Sequence, residues 1–211
     1  MAFTDIITTQ NEFEAFCEEV GKPSEMAANK VISYLDEQCV AFIQASPFLT
    51  MASSNKKGEC DVTPRGDERG FVHVIDAHHL FIPERPGNKR MDSAHNIIEN
   101  PHVGLIFFIP GLGETLRVNG EAFICRDPSL LKACVAKGKT PHFGVLVRVN
   151  ECYVHCAKAF LRSGLWKPET WAEKGERPSP ARMLQAHVSV GQKSEQDIER
   201  SLEESYTKRL Y

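Results

Sequence analysis

The sequence predicts a mainly β domain with flanking helices, and three observations carry that expectation. From Pro47 onward, helical spacing gives way to short apolar runs separated by turn residues. Val103 to Ile109 is apolar on both faces, as a central buried strand requires. Thr115 to Cys125 alternates: Leu116, Val118, Ala122 and Ile124 share one face with Gly120, and Thr115, Arg117, Asn119 and Glu121 share the other. No linker composition interrupts Pro47 to Cys156 and no repeat is visible, so one domain is expected there.

Helices are expected first. Asn11 followed by Glu14 offers a capping-box-like start for Glu12 to Val20, which Gly21 and Pro23 stop. Ser24 can cap a second helix, with Met26, Ala27, Val31, Ile32 and Leu35 at helical spacing, and Asp36 to Gln44 continues it after a bend. Strands are then expected at Phe48–Ala52, Cys60–Thr63, Phe71–Ile75 and Leu80–Pro83, with residues 63–67 forming a loop. Ser93 to Asn100 fits a short helix, closed because Pro101 disfavours helical geometry in the residue before it. Asn119-Gly120 has the composition of a hairpin turn. Unbroken alternation through Ile124 argues instead for a bulge or a close backbone approach at Gly120. Asp127-Pro128 starts a helix over Leu130 to Lys137, ended by Gly138. Phe143 to Cys156 is one long strand, bent near Asn150; residues 166–180 read as irregular, and Ser194 to Lys208 as a charged helix.

The bulk numbers exclude several classes. A formal charge of −3 over 211 residues gives no global basic field for nucleic acid, so local basic clusters need local explanations. The longest apolar run is far short of the roughly 20 residues that span a bilayer, and the start lacks a secretory pattern. Seven cysteines without a Cys-x-x-Cys pair fit free thiols in a reducing cytoplasm. Glu151-Cys152-Tyr153-Val154-His155-Cys156 is no metal site on a strand, because Cys152 and Cys156 point away from His155. Common hydrolase, nucleotide-triphosphate and dinucleotide motifs are missing.

What remains is cationic. Glu84-Arg85-Pro86-Gly87-Asn88-Lys89-Arg90 places three cations between a strand and a helix, where helix N–H groups add donors for a phosphate. A solvated surface loop is the alternative. This loop, then Asn100-Pro101-His102-Val103-Gly104-Leu105-Ile106-Phe107-Phe108, then Glu114-Thr115-Leu116-Arg117-Val118-Asn119-Gly120, resembles the FMN-binding split-barrel family related to pyridoxamine 5'-phosphate oxidase, over roughly residues 47–156.

The resemblance implies a split β-barrel of about six antiparallel strands, with residues 1–45 a helical segment, 46–165 the flavin domain and 166–211 a tail packed on it. It implies FMN at a homodimer interface, with Asn88, Lys89 and Arg90 on the phosphate loop, Arg65 and Gly66 facing the flavin, and Ile82 and Pro83 along its ring. Thr115 and Arg117 would lie near the cofactor, and Arg162 and Trp166 would reach the partner's flavin. A surface Arg–Asp pair at Arg65, a polar outer face at Arg117 and a tail anchor at Trp166 are the plainer alternatives. The implied activity is FMN-dependent oxidation or reduction of a small molecule, with NADH or NADPH as reductant, in the cytoplasm, without nucleic acid or membrane. The other reading is a flavin or haem carrier without turnover, for which His73, His79 and His95 are the histidines on offer. The tail offers Arg177, Arg182 and His187 but not the arginine–histidine pattern of the vitamin B6 oxidases, so the resemblance is to the family rather than to that enzyme.

Overall fold

The computed structural model describes residues 4–188 and 193–211. Two compact units divide at Val31 and Ile32. In the first, α1 (Gln10–Val20) opens on a capping box: Thr9 Oγ1 accepts from the Glu12 N–H, and the Glu12 carboxylate accepts from the Thr9 N–H. The box sits two residues before the expected Asn11–Glu14 pair. Ser24 caps the next helix as expected, but α2 (Glu25–Asn29) ends well short of Leu35. The reason is competition from the sheet. Ile32 pairs with Cys152 in a β-bridge, and the Leu35 N–H donates to the Ala77 carbonyl at 2.7 Å.

In the second unit, α3 (Glu37–Ala45), capped by Asp36, precedes the strands. All seven runs read from the sequence become strands: β1 (Phe48–Ser54), β2 (Cys60–Gly66), β3 (His73–Asp76), β4 (His79–Pro83), β5 (His102–Phe108), β6 (Thr115–Cys125) and β7 (Gly144–His155). They form one antiparallel sheet in the order β2-β1-β5-β6-β7-β4-β3. The expectation of a mainly β domain with flanking helices holds, with seven strands rather than about six. The sheet is open, with β2 and β3 at its edges. β2 runs on through Pro64 to Gly66, where a loop was expected, because an edge strand bonded only to β1 does not need every N–H.

One apolar cluster joins Leu49 and Met51 of β1, Leu105 and Phe107 of β5, Leu116 and Val118 of β6, Val145 and Val147 of β7, and Leu80 and Ile82 of β4. Leu35, Cys39 and Ile43, on or beside α3, belong to it too. Within it Cys152 Sγ lies 3.4 Å from Cys39 Sγ; all seven cysteines are free, and burial pushes both of these thiols above their ordinary pKa. The expected break at Gly120 is a β-bulge: Asn119 pairs with Glu151 but Gly120 pairs with Val149, leaving Asn150 as the extra residue.

Helix α4 (Asp92–Glu99) lies against β1 and β2. Its Asn96 is buried and donates to Asp61 Oδ2 at 2.9 Å and Ser53 Oγ at 3.2 Å, while Ser93 Oγ is 3.2 Å from Thr63 Oγ1. Buried polar groups bonded in this way fix the helix in place, and its first turn is thereby fixed over β2. Helix α5 (Pro128–Ala133) starts at Asp127 as expected but ends four residues early, where the backbone leaves helical geometry and Ala136 bridges to Lys139. Two further helices were not expected: α6 (Lys158–Ser163), which has no side-chain cap, and α7 (Pro180–His187), whose Ser179 cap and first-turn Pro180 were an unread start signal. α8 (Glu195–Lys208) begins at its Ser194 cap. Among the described residues no helix is long and apolar enough to cross a membrane.

Candidate functional site

Edge strand β2, the end of β4 and the start of α4 converge on a cavity of about 400 Å³. Its apolar wall is Phe71, Pro83, Phe143 and Val145; its polar wall is Thr63, Arg65, Glu84, Arg85, Asn88, Arg90, Asp92 and Ser93. Register explains why Arg65 is here. It pairs with Leu49, whose side chain is wholly buried, so Arg65 projects from β2 on the core side of the sheet.

Three arginines line the cavity, and each is held by a carboxylate. Arg65 is ion-paired with Glu84 across the cavity. Arg85 donates through Nε to Asp67 Oδ2 at 2.5 Å and through Nη1 to the Cys134 carbonyl at 2.7 Å. Arg90 donates through Nε to Asp92 Oδ2 at 2.9 Å, and its N–H donates to Asn88 Oδ1 at 3.0 Å. Among the described residues the buried Arg65 Nε–H has no acceptor. Helix α4 also opens without a side-chain cap, because Met91, which precedes it in left-handed geometry at φ 61°, carries no capping oxygen. The first-turn N–H groups of an uncapped helix have no partner within it and favour negative charge. An orphaned guanidinium donor, two hydroxyls and an uncapped helix start suit an anion with several oxygens.

A second cavity of about 260 Å³ shares Phe71 and Arg85 with the first and is otherwise lined by residues 67–70, His73 and 133–137. At its edge Tyr211 donates its hydroxyl to Asp67 Oδ1 at 2.5 Å, and Lys139 Nζ donates to the Tyr211 carbonyl at 2.6 Å. Burial alone would raise the Asp67 pKa, but the Tyr211 hydroxyl, the Glu68 N–H and Arg85 together hold it below its ordinary value. A depressed carboxylate stabilises the fold above its unfolded pKa of about 3.9, and that contribution is lost as pH falls through the folded value. Asp67→Asn is therefore expected to lower the melting temperature at pH 7 and to shrink the difference from wild type below pH 4. A difference that stays constant from pH 7 to pH 2.5 refutes this. Burial, with Arg85 beside it, lowers the His73 pKa.

The expected site residues fall into separate groups. Arg65, Gly66, Pro83, Asn88 and Arg90 line the larger cavity. Lys89 does not; it is exposed, in left-handed geometry at φ 62°. Ile82 is core, 1% exposed, with its side chain in the apolar cluster. Thr115 and Arg117 lie elsewhere. The row Arg65, Leu49, Phe107, Leu116 runs across four strands on one face, so Arg117, one residue on, projects from the other. Arg117 donates through Nη1 to the Tyr153 hydroxyl at 2.9 Å and sits 5.7 Å from that ring's centre. Trp166 donates its Nε1–H to the Leu112 carbonyl at 2.8 Å and stacks on Phe160, while Arg162 is exposed at the end of α6. Within one chain these four do not join the cavity. Sequence reasoning missed Glu84, Asp67, Thr63 and Ser93, whose only signal was their nearness to Arg65 and Arg90. Among the described residues no histidine lines the larger cavity, His79 is paired with Asp76, and no cluster of potential metal ligands occurs.

A family model described as Pyridoxamine 5'-phosphate oxidase matches residues 35–156, from Leu35 beside α3 to the end of β7. No curated protein matches the chain. Among solved structures, HupZ from Group A Streptococcus is 16% identical, covering 56% of this chain and 90% of its own, with TM-score 0.45. A Lactobacillus delbrueckii protein named for pyridoxamine 5'-phosphate oxidase is 25% identical, covering 59% and 98%, with TM-score 0.45. HutZ, a haem storage protein from Vibrio cholerae, is 16% identical, covering 57% and 93%, with TM-score 0.41.

Proposed function

The chain belongs to the pyridoxamine 5'-phosphate oxidase family, and on that premise we propose that it is an FMN-dependent oxidoreductase acting on a small molecule. One observation carries the reading. The 400 Å³ cavity joins Arg65, Arg90 and Asn88 to the Thr63 and Ser93 hydroxyls and to the uncapped start of α4, beside an apolar wall. A phosphate dianion is held best by several forked cations with neutral donors around them. The orphaned Arg65 Nε–H is a donor that such a ligand could satisfy.

Bound FMN would supply the electron transfer, and the protein would bind, orient and shield it. Arg65 and Arg90 would hold the phosphate, Ser93 and Thr63 would donate to its oxygens, and Phe71, Phe143 and Val145 would keep water from the inner side of the pocket. None of these groups needs to act as a nucleophile, so their roles are binding and positioning.

Titration of the protein with FMN and with riboflavin tests the reading. Charge-assisted bonds contribute roughly 1.5–3 kcal/mol each, so a ligand that forfeits two of them should bind on the order of a hundredfold more weakly. FMN binding should also weaken as salt rises. Equal affinities for the two ligands, or a colourless protein indifferent to FMN, would sink the proposal. Anaerobic reduction of the bound flavin by NADH or NADPH, followed by turnover, separates an enzyme from a carrier.

A homodimer is part of the same proposal. Phe48 is 39% exposed, and the rings of Phe48, Phe108, Phe160 and Trp166 follow one another at centroid spacings of 5.7, 5.9 and 5.6 Å. Clustered apolar exposure of this kind marks an interaction surface. A second copy covering it would also put Arg117 and Trp166 at an interface. The expected solution mass is twice the 23.7 kDa chain. A monomer at micromolar concentration refutes the dimer.

A further inference from the structure

We propose that Glu84 is an internal competitor for the phosphate-bearing ligand: its carboxylate holds the Arg65 guanidinium, and the ligand must take that guanidinium from it. The inference takes the ligand's phosphate from the FMN reading but needs only an anion of that chemistry.

Glu84 is well placed to compete. It follows Pro83 at the end of β4, and its N–H donates to the Phe143 carbonyl at 3.0 Å, so its backbone is pinned at the cavity wall. Arg65 arrives from β2 on the other side. Both line the cavity, and their side chains are only 21% and 16% exposed, so the pair is poorly screened.

Charge balance gives it something to compete for. Each of the three cavity arginines already has a carboxylate: Glu84, Asp67 or Asp92. Among the described cavity residues a phosphate therefore meets no cationic side chain without a carboxylate, and to pair fully with one it must displace that carboxylate. The three carboxylates are not equally held. Asp67 is fixed by Tyr211 and the Glu68 N–H besides Arg85. Asp92 lies in the first turn of α4, where negative charge is favoured. Among the described residues the Glu84 carboxylate has Arg65 as its one hydrogen-bond partner. It is the carboxylate with least to lose.

Arg65 also stands to gain from the exchange. In its pairing with Glu84, its Nε–H is buried without an acceptor, which costs about what a lost hydrogen bond costs. A ligand with three oxygens can satisfy both Nε and a terminal nitrogen, as one carboxylate oxygen does not. Glu84 thus sets the threshold for occupancy. Ligands with a dianionic group outcompete it, and those with weaker acceptors do not.

The test is Glu84→Gln, which keeps shape and removes charge. Titrations with FMN, riboflavin and inorganic pyrophosphate are followed by flavin fluorescence or by the shift in melting temperature. FMN and pyrophosphate are expected to bind Glu84→Gln about tenfold or more tighter than wild type, the size of one charge-assisted bond, with riboflavin unchanged. Unchanged or weaker binding of both phosphates overturns the proposal and makes Glu84 a brace that aims Arg65 at the ligand. If FMN binds neither protein but pyrophosphate still binds the variant more tightly, the competitor stands and the flavin reading falls. If no phosphate compound binds either protein, both fall. Should Glu84→Gln not fold, Glu84→Asp withdraws the carboxylate by one methylene at unchanged net charge and is expected to shift affinity in the same direction.

Discussion

Gly120→Ala is expected to destabilise the protein by about 3 kcal/mol or more, the upper range for a single substitution. A Cβ at position 120 would lie 2.1 Å from the Arg148 carbonyl oxygen and 3.1 Å from Val147 Cγ1. The obstacle is backbone of the central β6–β7 pair, so no rotamer change can relieve it. The bulge at Asn119/Gly120 shifts the register by one residue there and brings β7 close against the glycine. Moving β7 away would break the ladder that carries Val147, Val149 and Cys152 into the core. Phe123→Ala, on the same strand but 46% exposed, is the control and should cost less than about 1 kcal/mol. Urea denaturation of the two variants checks the pair. A Gly120→Ala cost near that of the control would mean that the bulge can reopen without loss.

The same glycine shows how much of this fold is legible in the sequence. Alternation from Leu116 to Ile124 could continue through Asn119-Gly120 only if the turn signal were overridden, and a bulge is the device that overrides it. Apolar patterning likewise located β1, β4, β5, β6 and β7, because each buries one face and a slip would expose it, whereas β2, with no buried residue, was marked by the polar turn before it. Helix ends were less legible. Residues 30–35 have helical spacing, yet Ile32 bonds instead to β7 and Leu35 to the turn before β4, and local pattern carries no trace of such distant partners. Helix α6 is only six residues long with no side-chain cap, so neither period nor cap announces it.

The candidate site divides in the same way. A basic loop between a strand and a helix led to Arg90, Asn88 and the start of α4, which line one cavity because all three are sequence neighbours. The separation of Arg65 from Arg117 was not legible, because it depends on the register of β2 on β1 and of β5 on β6, which the sequence does not encode locally. Lys89 was placed on the loop correctly but points elsewhere, since left-handed geometry at Lys89 and Met91 turns successive side chains in different directions. The carboxylates opposite the arginines were invisible for a different reason. Glu84 and Asp67 are 19 and 2 residues from Arg65, and only the fold decides which of them it meets.

Arg65→Ala is expected to weaken FMN binding by a hundredfold or more and to cost roughly 1–3 kcal/mol in unliganded stability, because it leaves the Glu84 carboxylate, only 21% exposed, without its cation. That stability cost comes from the unpaired Glu84 charge rather than from lost packing: β2 is an edge strand, and removing an arginine already missing one hydrogen bond takes little from the core. The loss of binding has two sources. Up to two charge-assisted bonds to phosphate disappear, at roughly 1.5–3 kcal/mol apiece. Repulsion is the second, because Glu84 then faces the phosphate without the cation that neutralised it. Arg65→Ala/Glu84→Ala should therefore bind FMN more tightly than Arg65→Ala alone, even though it lacks more polar groups. Lys89→Ala, outside the cavity, should stay within about threefold of wild type, and Arg90→Ala should fall between the two. Fluorescence titration of the four variants settles the ordering. If Lys89→Ala proves the most damaging, the phosphate lies outside the cavity, and the arginines on β2 and the loop serve only their carboxylates.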